Sequence, residues 1–444
     1  MSLPGRSGGG WLMLAWAVAS LGCGVTRAPT PPATSPASSA ATPAPPVETP
    51  GSSTVVVEVG LERLGAEAEL TETVLAGRRL GLVVHAASLT HDGRHAIDVL
   101  RQRGGDIVRL FTPEHGLRGR AAAGEVVASG LDPVSGLPVV SLYGETHKPR
   151  PQDLADLDAL VFDLQGAGVR FYTYVSTLIL CLEAAAESGL ELVVLDRPNP
   201  LGGERIEGPV AASREVVPAS FVNRAPGPLV HGLTMGEMAR VVNARLPQPA
   251  QLRVVAMRGW QRHMTWADTG RPWVPPSPNL RSAAAALAYP GVALLEATNV
   301  SEGRGTATPF ELFGAPWLEP SGLLASWGRD PVPGFALRAT RFTPRGSAAA
   351  PRPKFRDQAC HGVSVQITDA TVAQPYRLGL TLLAALTRQD GFAWRRDGEA
   401  LTWLLGTPRV YQALRDGQSV ESILAVDEAD HAAWRRDRRS ALLY

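Results

Sequence analysis

Residues 159–203 read ALVFDLQGAGVRFYTYVSTLILCLEAAAESGLELVVLDRPNPLGG, and this stretch decides the fold. An unbroken apolar run, Ala159–Leu164, meets a Gly-rich turn; a helical stretch, Thr177–Ser188, follows; a second apolar run, Leu192–Leu195, ends in Asp196-Arg-Pro-Asn-Pro. Strands apolar on both faces, alternating with amphipathic helices, are the pattern of parallel βαβ units. Working outward, the same rhythm gives strands at Leu80–His85, Ile107–Phe111 and Val139–Leu142, with a helix at Ala96–Arg103. Toward the C-terminus the pattern loosens. Helices are expected at Thr234–Arg245, Tyr376–Thr387, Ala400–Leu405 and Val410–Asp416, and a strand at Gly362–Thr368. The prolines of WVPPSPNL (273–280) forbid a helix interior or a central strand there, so that segment is a rigid loop.

The first residues have a different purpose. An apolar run of 11 residues, Trp11–Leu21, follows Arg6. It falls well short of the roughly 20 residues that span a bilayer, so it reads as the core of an export signal over 1–23. Ser20-Leu21-Gly22-Cys23 is similar to a bacterial lipoprotein cleavage box with Ser20 in an aliphatic place, which leaves lipidation of Cys23 and simple cleavage both open. From Thr26 to Thr54, 25 of 29 residues are Pro, Ala, Ser or Thr, too little apolar surface to fold, so 24–54 is a linker. The expected division of the body is 55–225 for the parallel-sheet domain and 226–444 for a smaller C-terminal domain. The expected location is outside the cytoplasm, periplasmic or membrane-anchored.

The 444 residues carry 43 Lys plus Arg against 42 Asp plus Glu, a net charge of +1, with no basic stripe. Nucleic acid is therefore excluded as a partner, and a membrane enters only through a lipid anchor at Cys23. Cys181 and Cys360 sit in core-like contexts and are expected buried and free. Gly166-Ala-Gly168 begins like a dinucleotide fingerprint, but Phe171 stands where the third glycine belongs, so no cofactor is expected. His91 and His95 are four apart without an evident third ligand, and no metal is expected.

Unusual residues cluster at the strand exits: Thr112-Pro-Glu-His-Gly116, Tyr143-Gly-Glu-Thr-His-Lys148, Asp163 to Tyr172, and Asp196 to Gly203. In an open parallel sheet ligands sit beyond the carboxyl ends of the strands, so these exits form one crevice. Glu114 is placed where burial favours the protonated form that a general acid needs; capping a helix or pairing with Arg118 would explain it equally well alone. Glu302, Glu296, Asp163 and Asp196 are candidate partners, since two carboxyl groups across a crevice can cleave a glycosidic bond.

Taken together, TPEHGLRG (112–119), GLPVVSLYG (136–144), FDLQGAGVRFYTYVSTL (162–178), VLDRPNPLGGERIEGP (194–209), HGLTMGEMAR (231–240), WVPPSPNL, TNVSEGRGTATPFELFGAPW (298–317) and RRSALLY (438–444) resemble the NamZ-type exo-β-N-acetylmuramidases. The resemblance implies an α/β fold, with a Rossmann-like parallel-sheet domain and a smaller α+β C-terminal domain closing the cleft. It implies hydrolytic release of N-acetylmuramic acid from the non-reducing end of peptidoglycan fragments, without a cofactor. Glu114 takes the place of the family's PEHG glutamate, and Glu302 is the first choice for its partner. Ala297 departs from the glycine more usual there. Muramic acid carries a lactyl carboxylate, which guanidinium forks match. The expected substrate contacts are therefore Arg118, Arg170, Arg197 and Arg304, with Tyr172 packing on a sugar face, Gln165, Asn199 and Asn299 reading polar groups, and His115 and Asp163 beside them. Each arginine has the alternative of holding a loop. The alternative function is a muropeptide-binding or sensing lipoprotein.

Overall fold

The computed structural model describes residues 56–444. The expected export signal over 1–23, with Cys23, and the expected linker over 24–54 lie outside the described residues. A seven-stranded sheet is built from β1 (Arg79–Val84), β2 (Asp106–Thr112), β3 (Gly130–Leu131), β4 (Pro138–Ser141), β5 (Ala159–Asp163), β6 (Glu191–Leu195) and β7 (Gln251–Val255), in the order β3-β4-β2-β1-β5-β6-β7. Every pairing is parallel except that of the two-residue β3 with β4. The unbroken apolar runs are explained by burial on both faces. Leu80, Leu82 and Val84 of β1, with Val161 and Val193, pack on one side against Leu61, Leu64 and Leu100. Val83, Phe111, Phe162 and Val194 pack on the other side against the Thr173–Ser188 helix. That helix starts four residues earlier than its apolar spacing indicates and ends at Gly189, whose φ of 66° is the left-handed stop that glycine supplies without strain.

The second sheet has three antiparallel strands, β8 (Leu312–Ala315), β9 (Phe335–Phe342) and β10 (Cys360–Ile367), in the order β8-β10-β9. Its core is continuous with that of the parallel sheet, because Phe310, Phe313, Val363 and Tyr376 belong to the cluster that holds Phe162 and Leu178. The Ala283–Val292 and Pro375–Leu386 helices meet backbone to backbone: a Cβ added to Gly291 would lie 2.1 Å from the Pro375 carbonyl oxygen. The Thr234–Arg245 expectation is met by a helix at Met235–Asn243, started by Thr234, whose hydroxyl accepts from the Glu237 N–H.

Two elements extend beyond what the sequence indicates. Strand β7 lies past residue 226, so the parallel sheet draws on chain from both sides of that position. The terminal RRSALLY motif folds back onto it, where the Tyr444 hydroxyl donates to Asp196 Oδ2 at 2.8 Å and accepts from Met257 N–H at 2.8 Å. Cys181 and Cys360 are buried free thiols.

Candidate active site

Strand β2 exits into Thr112-Pro113-Glu114-His115-Gly116, where His115 and Gly116 both have φ of 73°. A left-handed histidine is uncommon and needs holding; here its Nδ1 lies 2.9 Å from the Ala121 carbonyl oxygen. The turn leaves Glu114 only 7% exposed, with both carboxyl oxygens engaged. Oε1 accepts from Gly124 N–H at 2.6 Å and Oε2 accepts from the Thr173 hydroxyl at 2.7 Å. Thr173 opens the 16-residue helix after β5, so the positive end of its dipole faces the carboxyl group. The Tyr143 hydroxyl, from the exit of β4, also lies against Glu114; burial first, and then that neighbouring carboxylate, push the phenol well above its ordinary range. His115 is pushed below its usual value by burial, against the pull of Glu114, and is neutral at pH 7.

The aromatic wall comes next. The Tyr172 and Tyr174 hydroxyls both donate toward the Pro276 carbonyl, at 2.9 and 2.8 Å, and Tyr174 also reaches the Glu114 carbonyl at 3.1 Å. The proline-rich 273–280 loop is thereby fixed beside the Glu114 turn. Tyr289 stands edge-on to Phe171 at 5.2 Å and Phe310 at 4.7 Å. Burial, and then the charges of Glu296 and Glu114, push the Tyr289 phenol up, so one hydroxyl feels carboxylates from both halves of the chain.

Glu302 and Arg304 arrive on the turn after Val300. Glu302 is buried between two cations, with Lys354 Nζ at 3.0 Å from Oε2 and Arg304 Nε at 3.4 Å from Oε1. Burial would favour its neutral form, but Lys354 and then Arg304 outweigh burial and hold the carboxyl below its ordinary range. Lys354 spends its remaining donors on the Leu295 and Val300 carbonyls at 2.8 and 2.7 Å. Arg304 also meets Glu296 at 2.6 Å and stacks over Phe310 at 5.0 Å. Glu296, with 29% of its side chain exposed, is the open member of this cluster.

Of the other expected contacts, several are occupied by the protein itself. Asp163 and Arg197 form a buried bidentate pair at 2.5 and 2.8 Å. Gln165 donates to the Pro198 and Gly166 carbonyls, tying the exits of β5 and β6 together. Asn199 bridges Leu201 N–H and the Leu233 carbonyl beneath Gly168, where a Cβ would fall 2.2 Å from Asn199 Oδ1. Arg170 is fully buried and donates to the carbonyls of Pro209, Gly227 and Leu405, so it takes the loop-holding alternative. Asn299 pairs with the 391–393 backbone. Arg118 turns outward to Asp132 at 2.7 Å. Gly124, Tyr143, Thr173, Tyr289 and Lys354 escape the sequence reading. Tyr143 opens one of the conspicuous exit segments and Thr173 falls one residue past another, whereas Lys354 lies in PRPKF, 52 residues from the glutamate it holds and without a local signal.

The description "Exo-beta-N-acetylmuramidase NamZ, N-terminal" matches residues 80–284, and "Exo-beta-N-acetylmuramidase NamZ, C-terminal" matches 287–444. The chain belongs to the NamZ family. A curated relative, the peptidoglycan beta-N-acetylmuramidase NamZ of Bacillus subtilis (strain 168), is 39% identical over 373 residues, which are 83% of this chain and 88% of that protein. Crystal structures of two DUF1343 family proteins of Bacteroides fragilis NCTC 9343, BF0371 and BF0379, superpose with TM-scores of 0.77 and 0.71. They are 32% and 28% identical and cover 87% and 88% of this chain, each over 99% of its own length. The NamZ N-terminal match spans Glu114, Tyr143 and Thr173, and the NamZ C-terminal match spans Tyr289, Glu296, Glu302, Arg304 and Lys354.

Proposed function

We propose that the chain is an exo-acting glycosidase that releases N-acetylmuramic acid from the non-reducing end of peptidoglycan fragments, with Glu114 as its proton donor. In the reaction Glu114 gives its proton to the bridging oxygen, the bond from that oxygen to the anomeric carbon breaks, and a water supplies the hydroxyl that ends on the sugar. The observation that carries this reading is the setting of Glu114: almost buried, at a strand exit, and held only by uncharged donors. No cation is paired with its carboxyl group, and the Thr173 hydroxyl that meets Oε2 can act as donor or acceptor. Glu302 is buried against Lys354 and Arg304, with 4% of its side chain exposed, whereas Glu296 keeps 29% exposure beside its pair with Arg304; we assign the second carboxylate to Glu296, the one that water or sugar can reach. Arg118, 45% exposed in its pair with Asp132, is the most open of the four expected arginines and the one we assign to the lactyl carboxylate. Export directed by residues 1–23 puts the enzyme beside its substrate, and radiolabelled palmitate incorporation lost in Cys23→Ala tests the lipid anchor. For the activity, a chromogenic β-N-acetylmuramide is incubated with the protein and with Glu114→Gln. Release by the first and none by the second supports the assignment; tight binding without release by the native chain means a receptor instead.

A further inference from the structure

A cavity of about 800 Å³ lies apart from Glu114, which is not among its lining residues. It opens at the exits of β6 and β7, between Pro200–Gly202 and Arg262–Trp266, and is closed by residues 370–374 and the Glu428–Asp437 helix. The sheet order places β7 four strands from β2, roughly 19 Å at about 4.8 Å per strand. The Ala283–Val292 helix stands between the two sites. Ala283, Ala284 and Leu287 line the cavity, while Tyr289, two residues on and so on the opposite face, packs on Phe171 and Phe310 by the catalytic turn.

The walls are rigid. Arg205 donates to the Ala373 and Ala370 carbonyls at 2.8 and 2.9 Å and to that of Leu201, joining the two sides. Arg262 is likewise consumed by Glu237 at 2.6 Å and by the Gly203 and Gly232 carbonyls. These cations are structural and have nothing left for a ligand. Glu204, Glu428 and Arg435 differ: all three line the cavity, are exposed, and make no ion pair or side-chain hydrogen bond among the described residues. Glu428, His431 and Arg435 are spaced three and four apart, so one helix face presents an acid and a base together. Leu201, Ile206, Met264, Trp266 and Leu287 give the interior an apolar floor. Free charges of both signs above such a floor match a ligand with an ammonium, a carboxylate and apolar side chains. Two carboxylates disfavour a polyanion, and a neutral saccharide leaves all three charges unpaired. The volume falls within the roughly 300–1,000 Å³ of small-molecule sites.

We infer that this cavity is a second binding site, separate from the glycosidase crevice, for a short zwitterionic peptide whose amino group meets Glu204 and Glu428 and whose carboxylate meets Arg435. Titration calorimetry with trialanine, trileucine, their N-acetyl and C-amide derivatives, and chitotriose tests it. Trileucine is expected to bind more tightly than trialanine, because of the apolar floor. N-acetylation and the Glu204→Gln/Glu428→Gln pair are each expected to weaken binding at least tenfold, and the double variant should no longer distinguish free from acetylated peptide. C-amidation and Arg435→Gln should behave as the corresponding pair. Glu114→Gln should bind peptide unchanged. No heat with any peptide at millimolar concentration, equal binding by the double variant with an unshifted thermal midpoint, displacement of the peptide by the β-N-acetylmuramide, or binding of chitotriose in its place would each overturn the inference. None of these readouts uses turnover, so failure here and failure of the glycosidase assignment are told apart.

Discussion

Glu114 and Glu302 are both nearly buried glutamates on turns, one from each half of the chain, yet they are held by opposite means. Uncharged donors hold Glu114, a backbone N–H and the Thr173 hydroxyl, with the Tyr143 phenol nearby. Cations surround Glu302, with Lys354 and Arg304 within 3.4 Å. A neutral donor stabilises a carboxylate by about 1 kcal/mol and tolerates its protonation, whereas removing one cation from a buried pair costs several times more. Two carboxyl groups that look alike in sequence are thus divided into one that can exchange a proton and one that anchors a turn.

The largest effect expected from this division is on turnover. Glu114→Gln keeps the shape and an amide able to hydrogen-bond Thr173, but has no proton to give. The rate on a β-N-acetylmuramide should fall by about 10²–10⁴ while the urea midpoint stays within error of the native chain. A retained rate, or a collapse of stability, would erase the contrast with Glu302.

Lys354→Met tests the other side. It leaves Glu302 as a buried charge with only Arg304 beside it, a loss of about 3–5 kcal/mol in urea unfolding. Adding Glu302→Gln should recover part of that loss, since the stranded charge is then gone. If Glu302 were the catalytic partner, Glu302→Gln alone would remove activity with little change in stability; the assignment to Glu296 requires the reverse ordering for Glu296→Gln.

How much of this was readable in the chain follows from how local each feature is. The central strands β1, β2, β5 and β6 are apolar on both faces, so their runs are unambiguous and their ends fall within two residues of expectation. Strand β9, FALRATRF, alternates toward solvent with exposed arginines, and β7, QLRVV, is a half-buried edge, so neither carries a core signal. Glu114 was legible because an acid flanked by Pro113 and His115 at a strand exit is unusual. Its supports were not, because Thr173 lies four residues before the apolar spacing that marks the helix and nothing local marks Gly124, until folding brings them to within 2.7 Å of the carboxyl oxygens. Arg170 misled for the converse reason: a guanidinium in a motif looks available, and only the packed structure shows three carbonyls consuming it.

Asp196 sharpens the comparison from a third direction. Like Glu114 it is held by uncharged donors, here Thr234, Gly236 N–H and Tyr444, but it is 0% exposed. Burial dominates and raises its pKa to about 6 from an ordinary 3.8. A raised carboxyl pKa means that the folded state binds the proton more tightly than the unfolded chain, so this contribution is full below pH 4 and is lost as pH rises toward 6. At roughly 1.4 kcal/mol per unit, the loss is up to about 3 kcal/mol. Urea unfolding of the native chain and Asp196→Asn from pH 4 to 7 should show their difference drift by that amount. Glu302, shifted downward, contributes with the opposite sign: its stabilisation is present above its unfolded pKa and disappears as pH falls through the lower folded value.

The smallest expected effect isolates a single hydroxyl. Thr173→Val keeps the β-branched shape and the helix start but removes the donor 2.7 Å from Glu114 Oε2. Gly124 N–H still holds Oε1, so the carboxyl group should stay in place, and the change is confined to how well either protonation state is supported. A loss of about 1 kcal/mol, five- to tenfold in kcat, follows from one neutral hydrogen bond, with KM little altered because the bond is to the enzyme's own acid. Thr173→Ser should restore kcat. A loss confined to stability, with kcat unchanged, would mean that Thr173 merely packs, and the neutral cradle of Glu114 would reduce to the Gly124 N–H.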